Sequence, residues 1–326
     1  MTSCWIVNLW YSKNPPSIEL KSSKSIIHSF IVKGYNGLTI NPYQGCHHRC
    51  GYCYATYEWS PEFYDKIYAK SNAPEILEKQ LKSWKHEYVK PVMISSATDA
   101  YQPAELKYNL TRRCVETLQK FKFPYYVFTK SVIIERDLWL HQRYKDDCFL
   151  VWSITTCDEQ IRRLIEPGTP PSHSIFQVIK KFVDAGVCCG VNIDPIMPLI
   201  TDSPHHIERI IGNCHDAGVQ FISGAILRLR VDIWERLKSI INLLGIKNGI
   251  EKYKNDIYEF KEPLRSRDNI NVKRSYETCI LQNLKQRALE KNMIFDFPDL
   301  FRANSGPQTS NQTHSAEAQT LLLNYL

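Results

Sequence analysis

The sequence predicts an α/β fold, a partial TIM-type (β/α)6 barrel followed by a helical C-terminal extension. Three observations lead there. Six apolar, β-rich runs alternate with amphipathic stretches, as the βα units of a parallel sheet do. Gly186 and Gly218 each follow a helical stretch and precede the next apolar run, the place of a helix-terminating glycine. Most of the runs end in polar side chains, which is where a parallel barrel gathers its active site. Six strands are fewer than the eight of a closed barrel, so the barrel is expected to be open.

In chain order the strand runs are Gly37–Asn41, Pro91–Ser96, Pro124–Thr129, Phe149–Ile154, Val187–Asp194 and Val219–Leu227. Helices are predicted over Ala73–Trp84, Leu110–Phe121, Ile133–Tyr144, Asp158–Ile165, Ser174–Ala185 and Pro204–Ala217, where apolar residues recur at helical spacing. Thr111, after Tyr108-Asn109, is a candidate helix opener. Beyond Leu227 the alternation stops. Arg230–Leu244 reads as a helix, Ile246–Asp268 as charged and irregular, and Val272–Lys291 as a long helix. The expected organisation is an N-terminal segment (1–36), the barrel core (37–229), the helical extension (230–302) and a polar tail (303–326) too poor in core-forming residues to order.

The 326 residues are 43% hydrophobic, enough for a sizeable core. No run of 18 or more apolar residues exists, which predicts no membrane span. The opening MTSCWIVNLWYSKNPP lacks the basic and small-residue marks of a signal peptide, and eleven cysteines then point to a reducing, cytoplasmic setting. The formal charge is +7. Residues 226–302 hold 16 Lys/Arg against 11 Asp/Glu, interleaved with Trp234, Tyr253, Tyr258, Phe260 and Tyr276. That mixture suits either a nucleic-acid surface or an ordinary solvated helical face, and the charge excess favours the latter.

The most informative segment is Cys46-His-His-Arg-Cys50-Gly-Tyr-Cys53, a C-x3-C-x2-C spacing. Three thiolates can hold three irons of a [4Fe–4S] cube and leave the fourth open, whereas an electron-transfer cluster is closed by four. Zinc is the alternative, since His47 and His48 sit within the run, but structural zinc sites pair such a half with a second one further on. No paired partner follows near Cys114 or His86. The remaining cysteines, Cys4, Cys114, Cys148, Cys157, Cys188, Cys189, Cys214 and Cys279, show no C-x2-C spacing that would build a second cluster. His205-His206 read as surface residues before a helix. The cysteine spacing, with Tyr52 ahead of the last cysteine, resembles that of radical S-adenosylmethionine (SAM) enzymes.

Candidate SAM-binding residues lie at the strand ends. A zwitterionic methionine moiety needs an anion for its ammonium and a cation or hydroxyls for its carboxylate. Asp99 with Thr98 are candidates for the first, Lys130 with Ser153 for the second, and Asn192 and Asp194 close the fifth strand. Helix capping is the competing reading for Thr98, Asp99 and Ser131. Tyr52 and Tyr54 flank Cys53, placed to pack on a cluster, stack on adenine or carry a hydrogen atom.

With Asn41-Pro-Tyr-Gln-Gly-Cys46 through Cys53-Tyr54-Ala55, Thr98-Asp99-Ala-Tyr-Gln-Pro103 with Glu105, Thr129-Lys130-Ser131, Glu166-Pro167, and Pro195-Ile-Met-Pro198 with Thr201-Asp202, the chain resembles the radical SAM branch of spore photoproduct lyases and photolyase-like proteins from about Leu38 to Leu227. The resemblance implies a [4Fe–4S] cluster on Cys46, Cys50 and Cys53, with SAM on the open iron. It implies reductive cleavage of SAM to a 5′-deoxyadenosyl radical that abstracts hydrogen from a substrate. It places SAM against a hydroxyl at Thr98, a lysine at Lys130 and a serine at Ser153, and matches Tyr52 and Tyr54 to two tyrosines that relay a hydrogen atom. A one-electron reductant such as flavodoxin or ferredoxin is the implied partner, and a DNA lesion the implied substrate. One departure stands out. The lyases carry a hydrogen-donating cysteine two residues before that hydroxyl, where this chain has Ser96. Radical modification of a peptide or an RNA, and a non-enzymatic zinc- or cluster-bearing nucleic-acid-binding protein, are the alternative readings.

Overall fold

The computed structural model describes residues 15–32, 35–58, 63–85, 91–261, 265 and 268–296. The tail expected over 303–326 lies outside the described residues, as do residues 1–14 of the N-terminal segment. The centre of the fold is an eight-stranded sheet whose spatial order follows the sequence. Its strands are β1 (Ile27–Val32), β2 (Tyr35–Ile40), β3 (Val92–Ile94), β4 (Tyr125–Thr129), β5 (Cys148–Ser153), β6 (Cys188–Ile196), β7 (Phe221–Ile226) and β8 (Ile294–Phe295). The run from β2 to β8 is parallel; only β1 pairs antiparallel, on β2. The six strands expected from sequence are β2 to β7. The two additional edge strands come from stretches assigned to the N-terminal segment and to the C-terminal extension.

Alternation along each strand separates two packed layers. Val92, Ile94, Val127, Leu150, Trp152 and Val191 face the helices in the main core. Met93, Tyr126, Phe128, Phe149, Val151 and Phe221 face inward and pack on one another, with Tyr126 and Phe149 stacked at 5.3 Å. The barrel interior is thus filled by aromatic rings up to the level of Met93 and Phe128. The space above them is left for the site.

The helices cover the outer face. Ala73–Lys82, Leu110–Lys120, Ser172–Asp184 and Pro204–Asp216 bury one apolar stripe each. The stretch 133–142 divides into a 3-10 turn (Ile133–Asp137) and a short α-helix (Leu138–Gln142). The C-terminal extension packs in two places. Leu284 and Ala288 of helix Arg274–Glu290 are buried in the main core. Helix Val231–Leu243 joins Tyr253, Ile257 and Tyr258 in a second core that also contains Cys50 and Tyr52. That second core couples the extension directly to the cysteine loop. The stretch expected to be irregular holds helix Gly249–Lys252, a π-turn (Tyr253–Ile257) and strand Tyr258–Glu259.

Candidate active site

Beyond β2 the chain turns through Asn41–Gly45 into the cysteine loop, and the turn depends on glycine. Gly45 has φ +84°, and a Cβ there would stand 2.3 Å from the Lys66 carbonyl oxygen. The loop is then fastened on every side. Gln102 donates to the Gly45 carbonyl (3.1 Å), and its own oxygen accepts from the His47 backbone N–H (3.2 Å). Tyr64 donates to the Cys50 carbonyl (2.6 Å), and the Gly51 N–H to the Ile165 carbonyl (2.8 Å). Gly168 N–H bonds the His48 carbonyl (3.0 Å), and a Cβ on Gly168 would meet the His47 oxygen at 2.4 Å. His48 uses both ring nitrogens: Nδ1 lies 3.0 Å from the Gly168 carbonyl and Nε2 3.0 Å from Asp99 Oδ2.

This scaffold holds all three thiols, Cys46, Cys50 and Cys53, on the wall of one pocket at the carboxyl ends of the strands. The pocket is open at its mouth, and about 970 Å³ of space free of protein atoms lies in and over it, open solvent included. Every other sequence-nominated residue lines it too: Tyr52 and Tyr54 from the loop, Thr98 and Asp99 after β3, Lys130 after β4, Ser153 at the end of β5, and Asn192 on β6. His48, Ser95, Ser96, Thr129, Asp194 and Arg228 add to the polar lining, and Met93 and Phe128 are its apolar floor.

Burial sets the protonation states. It pushes the Cys46 thiol up, with the Asp99 charge adding, to about 12. Cys50 and Cys53 are raised for the same first reason, so iron binding here must displace protons. Among the described residues no three His, Cys, Asp or Glu side chains are grouped closely enough to hold a single metal ion.

Two of the nominated groups are more committed than the sequence suggests. Asp99 accepts three hydrogen bonds, from Thr129 Oγ1 (2.7 Å) and the Tyr101 N–H (2.8 Å) at one oxygen and from the Lys130 N–H (2.6 Å) at the other, where His48 Nε2 also stands in contact. Burial would raise its pKa, but His48 and these donors outweigh it and hold it below the usual range. Asp99 therefore ties the cysteine loop to the ends of β3 and β4 and has little capacity left for a ligand ammonium. Tyr52 is buried, and its hydroxyl donates to Glu166 while lying 3.0 Å from Thr155 Oγ1. Tyr54, by contrast, is 38% exposed at the mouth, donates to the Ser96 carbonyl, and has the Arg228 guanidinium over its ring at 5.9 Å.

Glu166 is the residue whose role the sequence did not reveal. Its carboxylate takes Lys130 (3.0 Å), Arg162 (3.0 Å), Thr155 (2.7 Å) and Tyr52. Burial alone would raise its pKa; Lys130, Arg162 and the two hydroxyls reverse that and hold it at about 2. Lys130 is correspondingly held above its ordinary value, desolvation being outweighed by Glu166 and Cys50. Two cations share one anion here, which leaves an excess positive charge directly beneath the pocket. Glu166-Pro167 was visible as a family motif, but its partners were not.

The donor set fits the cofactors implied. Three thiols and, among the described residues, no fourth cysteine line the pocket, as a [4Fe–4S] cluster with one open iron requires. Thr98 Oγ1 and Ser95 Oγ are buried there without a hydrogen-bond partner, a cost that a polar ligand would remove.

A three-thiol loop at the carboxyl end of an open parallel barrel is the arrangement in which a barrel protein can hold a cluster with one open iron. The chain belongs to the Radical SAM superfamily, whose family model matches residues 40–214, more than half of it. That superfamily uses a [4Fe–4S] cluster and SAM, and its members need an electron donor. The uncharacterized protein Rv2578c of Mycobacterium tuberculosis is 30% identical over 203 residues, so the chain spans only 59% of that relative's length, with 59% of its own aligned. The uncharacterized protein ORF301 of Acidianus two-tailed virus is 27% identical over 254 residues, covering 71% of this chain and 81% of the viral one. Spore photoproduct lyase complexed with dinucleoside spore photoproduct superposes with a TM-score of 0.64 at 11% identity, over 87% of both chains. A mutant of that lyase with bound AdoMet and dinucleoside spore photoproduct gives 0.59 at 13% identity, over 79% of this chain and 75% of the lyase. At such identities the likeness establishes the fold alone.

Proposed function

We propose that this enzyme carries its cluster on Cys46, Cys50 and Cys53, binds SAM against the ends of β3, β4 and β5, and abstracts hydrogen from a substrate entering past the Tyr54–Arg228 pair. When bound, the cluster and SAM supply a one-electron reductive cleavage that yields a 5′-deoxyadenosyl radical. The protein's part is to hold and orient. Lys130, 13% exposed and braced by Glu166, offers its ammonium to the methionine carboxylate, with the Ser153 hydroxyl beside it. The excess positive charge around Glu166 supports that choice. Thr98 and Ser95 offer the unpartnered hydroxyls, and Asn192 and Asp194 line the side toward β6. Asp99 and Tyr52 act behind this surface as positioning residues, and Tyr54 faces the entering substrate. Met93 and Phe128 exclude water from below.

The observation that carries this reading is the meeting of three thiols, Cys46 and Cys50 buried and Cys53 partly so, with two unpartnered buried hydroxyls in one pocket. The similarity to the lyases directs the substrate search to DNA lesions first, and a flavodoxin or ferredoxin is the proposed reductant. No helix among the described residues is long and apolar enough to cross a membrane.

Anaerobic reconstitution with iron and sulfide tests the proposal. It should give about four irons per chain and, with dithionite and SAM, 5′-deoxyadenosine. Alanine at any one of Cys46, Cys50 or Cys53 should abolish both, whereas Cys188→Ala should retain both. Iron retained by a Cys50→Ala variant would remove the three-thiol assignment.

A further inference from the structure

We infer that Arg236, a residue of the C-terminal extension, is a positioning residue for the iron-bearing loop and sets the reduction potential of what that loop holds. The inference rests on the cluster assignment proposed above. Arg236 projects from helix Val231–Leu243, with 14% of its side chain exposed. Its Nε donates to the Gly51 carbonyl at 2.7 Å. One terminal nitrogen reaches the Cys53 carbonyl (3.4 Å), Thr56 Oγ1 (3.1 Å) and Asp232 Oδ2 (3.0 Å). Thr56 in turn bonds the Cys53 carbonyl (2.8 Å) and Asp232 (3.0 Å).

The two carbonyls that Arg236 engages belong to the short turn between Cys50 and Cys53. A planar guanidinium can serve both at once from fixed directions, which a lysine ammonium on a flexible stem cannot. From the opposite side the same turn is held by the Ile165 carbonyl through the Gly51 N–H. The loop is therefore clasped between the barrel and the extension, and Arg236 is the extension's half of the clasp.

The charge has a second effect. Three thiolates give a cluster net negative charge, and reduction adds one more. A cation behind the loop favours the reduced form, and hydrogen bonds and net charge are the protein's means of setting cluster potentials. Asp232, 32% exposed and paired with Arg236 at 3.0 Å, acts in the opposite sense.

Potentiometric titration followed by EPR, together with iron release to a chelator, tests both effects on the reconstituted full-length protein. Arg236→Gln should take up iron, show a midpoint potential more negative than wild type, and lose iron about tenfold faster. Arg236→Lys should restore the potential but not the resistance to chelation. Asp232→Asn, which keeps the guanidinium and removes the opposing charge, should move the potential the other way. Wild-type potential and wild-type iron release in Arg236→Gln would overturn the inference. Should that variant not fold, a potential unchanged or lowered in Asp232→Asn would do the same. A wild type that assembles no four-iron cluster would instead bring down the site assignment, and this inference with it.

Discussion

Lys130 and Glu166 meet at 3.0 Å beneath the pocket, 36 residues apart in sequence and joined across the ends of two βα units. The pair makes Lys130 part of a buried network before any ligand arrives, because Glu166 also holds Arg162, Thr155 and Tyr52.

Glu166→Gln should therefore be costly. It leaves two buried cations without their anion, a change worth about 3–5 kcal/mol. The pH dependence follows from its depressed pKa. With a folded value of about 2 against an ordinary 4.5, Glu166 contributes stability that is complete above 4.5 and is lost as pH falls toward 2. The contribution is roughly 3 kcal/mol. Denaturant unfolding of wild type and Glu166→Gln from pH 7 to pH 2 should show the difference between them closing over that window; a constant gap would show that the pair is not coupled as described.

Lys130→Met should weaken SAM binding about ten- to a hundredfold, the size of a lost charge-assisted contact, while leaving the cluster's absorbance in place. It should also destabilise the fold by leaving Glu166 short of one cation. The double variant Lys130→Met/Glu166→Gln separates the two effects: stability should partly return and SAM affinity should not. SAM affinity equal to wild type in calorimetric titration of the single variant would take Lys130 out of the binding site.

Gly168→Ala tests the clamp on the cysteine loop. The added methyl would stand 2.4 Å from the His47 oxygen and 2.8 Å from the His48 Cα, so the loop must move. Far-UV circular dichroism should remain near wild type while iron content after reconstitution falls. A full complement of iron would mean that the loop tolerates displacement at this point.

Ser96→Cys addresses the substrate radical. Ser96 lines the pocket and its hydroxyl accepts from Asn41 Nδ2 at 3.2 Å, so a thiol there would face the substrate. A serine O–H is too strong a bond to serve as the hydrogen donor that a thiol is. Wild type should consume SAM without cleanly returning thymines from spore photoproduct, and Ser96→Cys should improve that conversion. Product analysis by chromatography decides it: efficient repair by wild type, with the variant no better, would reveal another donor.

The elements that sequence predicts well are those whose physics is local. Strands β2 to β7 are covered on both faces, so they read as continuous apolar runs, and the helices between them carry a single buried stripe. Strand Ser17–Lys21 was illegible because four of its five residues are exposed and two are charged, and β8 because it is two residues long with Ile294 at 58% exposure. The same division holds in the site. The thiols follow from spacing and the strand-end hydroxyls from position. The His48–Asp99 contact, the commitment of Tyr52 to Glu166, and the reach of Arg236 depend on tertiary neighbours 51, 114 and 185 residues away, which no local pattern encodes.

The clasp on the cysteine loop also has a temporal side. Gly51 and Arg236 are separated by 185 residues, so on a ribosome adding about 5–20 residues per second, roughly ten to forty seconds pass between synthesis of the thiols and synthesis of their fastener. Early in that interval a nascent chain presents Cys46, Cys50 and Cys53 on a loop that neither Ile165 nor Arg236 has yet secured, and later in it Arg236 is still missing. Iron delivered then would meet unordered ligands and an unfinished barrel. Maturation of this enzyme is accordingly expected to follow translation of helix Val231–Leu243, which makes that helix a checkpoint between making the chain and loading it.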